Sequence, residues 1–175
     1  MATEGIAGNT GVLYVPHVST AQLSSTLYLE NVGDEPADVR VTYYEEDGTI
    51  VPGAALTLTL SSRAITWLTS DAGLPEGFQG SAVLESLNDQ PLVGAVFLGD
   101  PAGRAALYSV ADRPAAVLFV PQVLKGSAGL TTTLQIQNTT ATTTTVAVRY
   151  YDAAGRPLTA AETRLILSPH GAAQV

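Results

Sequence analysis

Apolar and polar residues alternate along most of the chain with a period of two. Leu27 and Leu29 enclose Tyr28 between Thr26 and Glu30, and Val39, Val41 and Tyr43 alternate with Arg40, Thr42 and Tyr44. Leu56, Leu58 and Leu60 alternate with Thr57 and Thr59. Further on, Leu134 and Ile136 sit among Thr133, Gln135 and Gln137, while Val146, Val148 and Tyr150 repeat the spacing and Leu165 and Leu167 flank Ile166. Such alternation marks antiparallel sheets with one buried face. It predicts strands over 12–18, 25–31, 38–45, part of 49–60, 63–69, 80–87 and 92–98, a further segment at 105–110, and no helix. Turn-forming residues separate the runs. Glu46-Asp47-Gly48 is expected to close one hairpin, and Asn88-Asp89-Gln90-Pro91 a second, between 80–87 and 92–98. Pro16 within the first run suits an edge strand or a bend.

The runs occur twice. Val12-Leu13-Tyr14-Val15-Pro16-His17-Val18 returns as Val117-Leu118-Phe119-Val120-Pro121-Gln122-Val123, an offset of 105 residues. Thr26–Asn31 returns as Thr133–Asn138, and Val41-Thr42-Tyr43-Tyr44 with Gly48 returns as Val148-Arg149-Tyr150-Tyr151 with Gly155, both at an offset of 107. A two-residue insertion near Lys125-Gly126 reconciles the offsets. Repetition at domain-sized spacing implies a duplicated β-module. The expected fold is all-β: two tandem immunoglobulin-like antiparallel β-sandwich modules, the second lacking its last hairpin. The expected division is a flexible segment 1–11, a first repeat 12–110, a linker 111–116 and a shortened second repeat 117–175. A sandwich without its last strands leaves apolar core and bare edges uncovered. The chain is then part of a longer array, or the second repeat borrows strands from the first, or another subunit supplies them.

Composition narrows the function classes. Hydrophobic residues make up 46% and charged residues 14%, enough core material for a folded chain. The net charge is −8 and only eight basic residues are present, singly scattered, which argues against a nucleic-acid partner. No cysteine occurs, so disulfides, thiolate–zinc sites and cysteine nucleophiles are excluded. No apolar run approaches the roughly 18 residues of a membrane span, and residues 1–11 do not read as an export signal.

Catalytic chemistry is not visible. His17 and His170 are not repeated, since Gln122 and Arg63 hold the corresponding places, and both read as surface residues. Glu45-Glu46-Asp47 and Asp34-Glu35 could flank a calcium ion at one end of the sandwich, but the second repeat has Asp152-Ala153-Ala154, so solvated turn tips are the plainer reading. Asn138-Thr139-Thr140 fits the N-glycosylation pattern at a level expected by coincidence. Trp67, the sole tryptophan, is expected to pack in the core or at its rim, with a ligand platform as the alternative. No cofactor, metal or catalytic residue is assigned.

The order Val-Pro-x-Val, Thr-Leu-x-Leu/Ile-x-Asn, Val-x-Val-x-Tyr-Tyr-x-x-x-Gly, Gly-Ser-Ala-Val and Asp-Gln-Pro-Leu-Val-Gly-Ala-Val is similar to tandem β-sandwich repeats of bacterial secreted and cell-surface proteins. The resemblance covers residues 11–110 and, shortened, 116–175. It implies an extracellular or cell-surface location and supplies no active-site residues. The expectation is a non-enzymatic structural or adhesive protein, a surface-fibre subunit that self-associates by strand complementation through a surface including Leu165, Leu167, Val146 and Val148. The alternative is a carbohydrate- or ligand-binding module of a secreted protein, with Tyr28, Tyr44 and Tyr151 facing a glycan.

Overall fold

The computed structural model describes residues 11–21, 23–70 and 73–175. Residues 1–10, most of the segment expected to be flexible, lie outside the described residues. The first repeat contains β1 (Val12–Ser19), β2 (Ser24–Asn31), β3 (Ala37–Glu45), β4 (Leu56–Leu60), β5 (Ile65–Thr69), β6 (Gln79–Ser86), β7 (Leu92–Gly99) and β8 (Ala105–Ser109). They form two four-stranded antiparallel sheets, in the orders β1-β6-β3-β4 and β5-β2-β7-β8. Leu13, Val15, Leu29, Val39, Val41, Leu84, Leu92 and Val96 fill the space between them and are almost completely buried. These are the inward members of the alternating runs, so the period-two pattern and the sandwich are one fact seen at two levels.

Connectivity departs from expectation at one turn. Residues 87–91 do not close a hairpin: β6 lies in one sheet and β7 in the other, so this is an arch across the core. Short segments at 32–36 and 61–64 also cross between sheets, stacking β3 above β2 and β4 above β5. Glu46-Asp47-Gly48 does close the β3–β4 hairpin, with Gly48 at φ 86°. β1 is an edge strand whose pairing shifts register between Val15 and Val18, where Pro16 cannot donate to the ladder.

The second repeat holds β9 (Gln135–Gln137), β10 (Thr144–Val148), β11 (Thr163–Leu167) and β12 (Ala172–Gln174), with a 3-10 turn at Thr159–Ala161. β10 pairs with β11 as β3 pairs with β4: Val146 faces Leu165 where Val39 faces Leu58. β9 pairs with β12 as β2 pairs with β5: Ile136 faces Ala173 where Leu29 faces Thr66. Every one of these pairs is displaced by 107 residues from its counterpart, so the duplication extends to the ladders. Among the described residues nothing corresponds to β6, β7 and β8 beside them.

That absence explains the behaviour of 117–123. Its sequence is nearly that of β1, yet it forms no strand. β1 is held to its sheet by β6, and the second repeat has no such neighbour. Without a ladder the same apolar run forms no strand and faces water, with Phe119 91% exposed. Local sequence alone does not make a strand here; the partner does.

The second repeat rests on the first. Ala172 N–H donates to Glu46 O at 3.0 Å, Ser81 Oγ donates to His170 O at 3.1 Å, and the rings of Tyr44 and His170 stack at 4.9 Å. Ser81 points outward from β6 and would otherwise meet solvent, but it is fully covered.

Candidate functional site

Val146, Val148, Leu165 and Leu167 share one face of the β10–β11 pair, because residues opposite each other in an antiparallel ladder point the same way. Leu134 and Ile136 project from the neighbouring β9–β12 layer. Their counterparts in the first repeat, Val39, Val41, Leu27 and Leu29, are buried, whereas Val146, Val148, Leu134 and Ile136 are only half-buried. Leu167 is the exception: it is buried, beside the Asn138 amide that binds its carbonyl at 3.2 Å. Full burial of an aliphatic side chain is worth about 1.5–3 kcal/mol, so each half-covered residue leaves roughly 1 kcal/mol ungained. Among the described residues β10 pairs only with β11 and β9 only with β12, which leaves one free edge on each. The result is an open half-sandwich: an apolar floor flanked by two unpaired strand edges.

The expected tyrosines do not converge. Tyr28 is exposed on the outer face of the β5-β2-β7-β8 sheet, opposite Trp67 in the ladder. Tyr44 lies on the other sheet, half-covered by His170. Tyr151 is exposed beyond β10, bridged to Pro157. The sequence reading missed the neighbours of Tyr28. Trp67, expected in the core or at its rim, is 65% exposed, and Ile65, Phe97 and Leu107 extend the same outward apolar face. The sequence left two choices: Ile65, Trp67 and Thr69 alternate with Thr66 and Leu68, and the β2–β5 register decides which set faces out. In the second repeat this face carries Gln135, Gln137 and Gln174, and Gln137 Nε2 donates to Ala82 O at 3.4 Å. The polar face docks on the first repeat; the apolar one stays open.

Both histidines belong to the contact between repeats rather than to free surface. His17 adjoins Glu46, Gln135 and Ala172, and burial lowers its pKa below the ordinary value, opposed by the Glu46 carboxylate. The Tyr108 hydroxyl donates to His17 O, and burial pushes that phenol well above its usual range. His170 sits at φ 59° in a turn, as Arg63 does 107 residues earlier.

The carboxylate groups considered for calcium lie at opposite ends of β3, whose nine residues separate them by about 27 Å. They cannot share an ion, and Asp34 is bonded to Arg63 at 2.6 Å. Among the described residues no group of three or more His, Cys, Asp or Glu is placed to hold a metal. Asn138 Nδ2 is turned inward onto three carbonyls, so the folded chain does not offer it for glycosylation. No described helix is long and apolar enough to cross a membrane.

Neither a family model nor a curated protein matches the chain. Among solved structures it is similar to Thermotoga maritima 1070, with a TM-score of 0.50 and 20% identity over 61% of this chain and 96% of that one. The Anabaena sensory rhodopsin transducer aligns with a TM-score of 0.41 and 21% identity, over 53% of this chain and 97% of that one. The first likeness supports the β-sandwich fold.

Proposed function

We propose that this is a non-enzymatic structural β-sandwich protein that assembles by strand complementation at its second repeat. One observation carries the reading: the free edges of β9 and β10 border a half-covered apolar floor whose counterpart in the first repeat is closed by β6 and β7. An incomplete sandwich of this kind gains both a ladder and a core when a strand is added. An extracellular or cell-surface setting follows from the sequence resemblance to repeats of secreted and surface proteins, and the exposed Thr-rich segment 139–145 agrees with it. The test is solution mass against concentration together with negative-stain microscopy. Oligomers or fibres that disappear in Val148→Asp, with the first sandwich still folded, support the reading; a monomer at all concentrations overturns it.

A second reading, a carbohydrate-binding module, is favoured by the exposed Tyr28–Trp67 pair, since flat aromatic faces suit sugar rings. Glycan-array binding lost in Trp67→Ala and retained in Tyr151→Ala would establish it. The same loss in both variants, or no binding by the unaltered chain, would remove it.

A further inference from the structure

The way the first repeat closes states what would close the second. Its sheets run β4-β3-β6-β1 and β5-β2-β7-β8, and the short crossings at 61–64, 32–36 and 87–91 stack β4 on β5, β3 on β2 and β6 on β7. A single plane between β3/β2 and β6/β7 therefore divides the sandwich into halves of two strands per sheet. The second repeat is the β3/β4 and β2/β5 half, with β10 in the place of β3 and β9 in the place of β2. Across the dividing plane both ladders of the first repeat, β3–β6 and β2–β7, are antiparallel.

Two identical strands related by a two-fold axis perpendicular to their sheet are antiparallel. A single such axis, passing beside β10 and β9 together, gives each free edge a neighbour of the direction found in the first repeat. We infer that two molecules of this chain join in this manner, β10 against β10 and β9 against β9, to form one closed sandwich of two four-stranded sheets at the dimer centre. The inference rests on the strand-complementation reading above and specifies its occupant. The inner face suits a second copy of itself: Val146, Val148, Leu165, Leu134 and Ile136 carry no charge, so no like charges are brought together. Closed pairing also consumes both free edges, whereas head-to-tail addition would leave edges at each end and propagate.

The absence of cysteine makes the test direct. Paired residues of an antiparallel ladder point to the same side, so a symmetric β10–β10 ladder sets one residue opposite its own copy. Single cysteines are introduced from Thr145 to Arg149 in the full chain and oxidised, and mass is measured by light scattering. The expected result is a doubling of the 18.1 kDa mass and efficient disulfide formation in one variant, falling off on either side. In the unaltered chain, β9 and β10 amides should gain hydrogen-exchange protection as concentration rises, which holds the test open if a variant misfolds. Fibres without a self-crosslinking position overturn the two-fold arrangement but leave strand complementation standing. A dimer with neither crosslink nor β9 and β10 protection places the interface elsewhere and overturns both. So does a monomer at every concentration.

Discussion

Asn31 and Asn138 are the same residue twice. Each side-chain amide donates to the carbonyls four, 29 and 30 residues ahead: Glu35, Leu60 and Ser61 for Asn31, and Thr142, Leu167 and Ser168 for Asn138. Each Oδ1 accepts the N–H two residues on, from Gly33 and from Thr140. The amide thus ties the strand that ends in asparagine to the next turn and to the end of a strand in the opposite sheet. Asn31 is fully buried, so Asn31→Ala strands several backbone groups away from water. It should cost about 2–4 kcal/mol of stability, read by urea denaturation. Asn138→Ala should leave the main unfolding transition in place and act on the second repeat alone, read as hydrogen exchange confined to 135–174.

Gly48 and Gly155 both take positive φ in equivalent turns, but their surroundings differ. A Cβ on Gly48 would lie 2.0 Å from Pro169 O, while a Cβ on Gly155 meets nothing within 4 Å. Gly155→Ala should cost only the backbone term, about 1 kcal/mol. Gly48→Ala must also push 168–171 away, so it should cost roughly 2–4 kcal/mol and expose Tyr44. A Tyr44 signal in near-ultraviolet circular dichroism separates the two variants.

Acid should loosen the contact between the repeats before it unfolds the sandwich. Burial lowers the His17 pKa from 6.5, so on acidification the unfolded chain takes up the proton first. The stabilisation is present above about pH 6.5 and is lost as the pH falls towards the lower folded-state value. His17→Gln, which installs the residue found at position 122, should flatten stability between pH 7 and 5.5. Asp100 and Asp152 are held below the carboxylate range by the backbone N–H groups of Arg104 and Arg156, with the guanidinium groups assisting. Their contribution persists above about pH 4 and disappears only as the pH falls through their lower folded-state values. Chemical denaturation across pH checks both windows.

Phe119 should contribute little to the stability of the folded molecule and should limit its solubility. It is 91% exposed, with Leu118 74% exposed beside it. Phe119→Ser should change the melting temperature negligibly, since surface substitutions stay within about 0.5 kcal/mol. It should raise the concentration at which the protein stays clear. A fall of several degrees in melting temperature would mean that the segment is covered by an unseen neighbour.

Strand positions were most legible in β3, where buried residues alternate with polar ones, as Val39 and Val41 do with Asp38, Arg40 and Thr42. The repeat was legible to the same precision, and the offset of 107 read from Tyr43 and Tyr150 is the offset of the ladders. What the chain did not disclose was pairing at a distance. Asn88–Pro91 has the composition of a hairpin turn, yet turn chemistry does not fix whether the next strand returns to the same sheet. Trp67 was misplaced because its alternating run is apolar on both parities. The open half-sandwich was foreseen in outline, whereas the docking of His170 on Tyr44 and Ser81 depends on tertiary geometry that no local pattern encodes.

The two near-identical runs at 12–18 and 117–123 compete for a single slot, the outer edge of β6. Leu118, Val120 and Val123 could present to the core what Leu13, Val15 and Val18 present now. During synthesis the contest is settled by order of appearance: β1 is made first, and β6 emerges to meet it before the rival exists. After dilution from denaturant both candidates are present at once, and that advantage vanishes. Biosynthesis therefore yields one threading of the chain, while refolding in the test tube should yield two, separable by native mass spectrometry after limited proteolysis at the unpaired run.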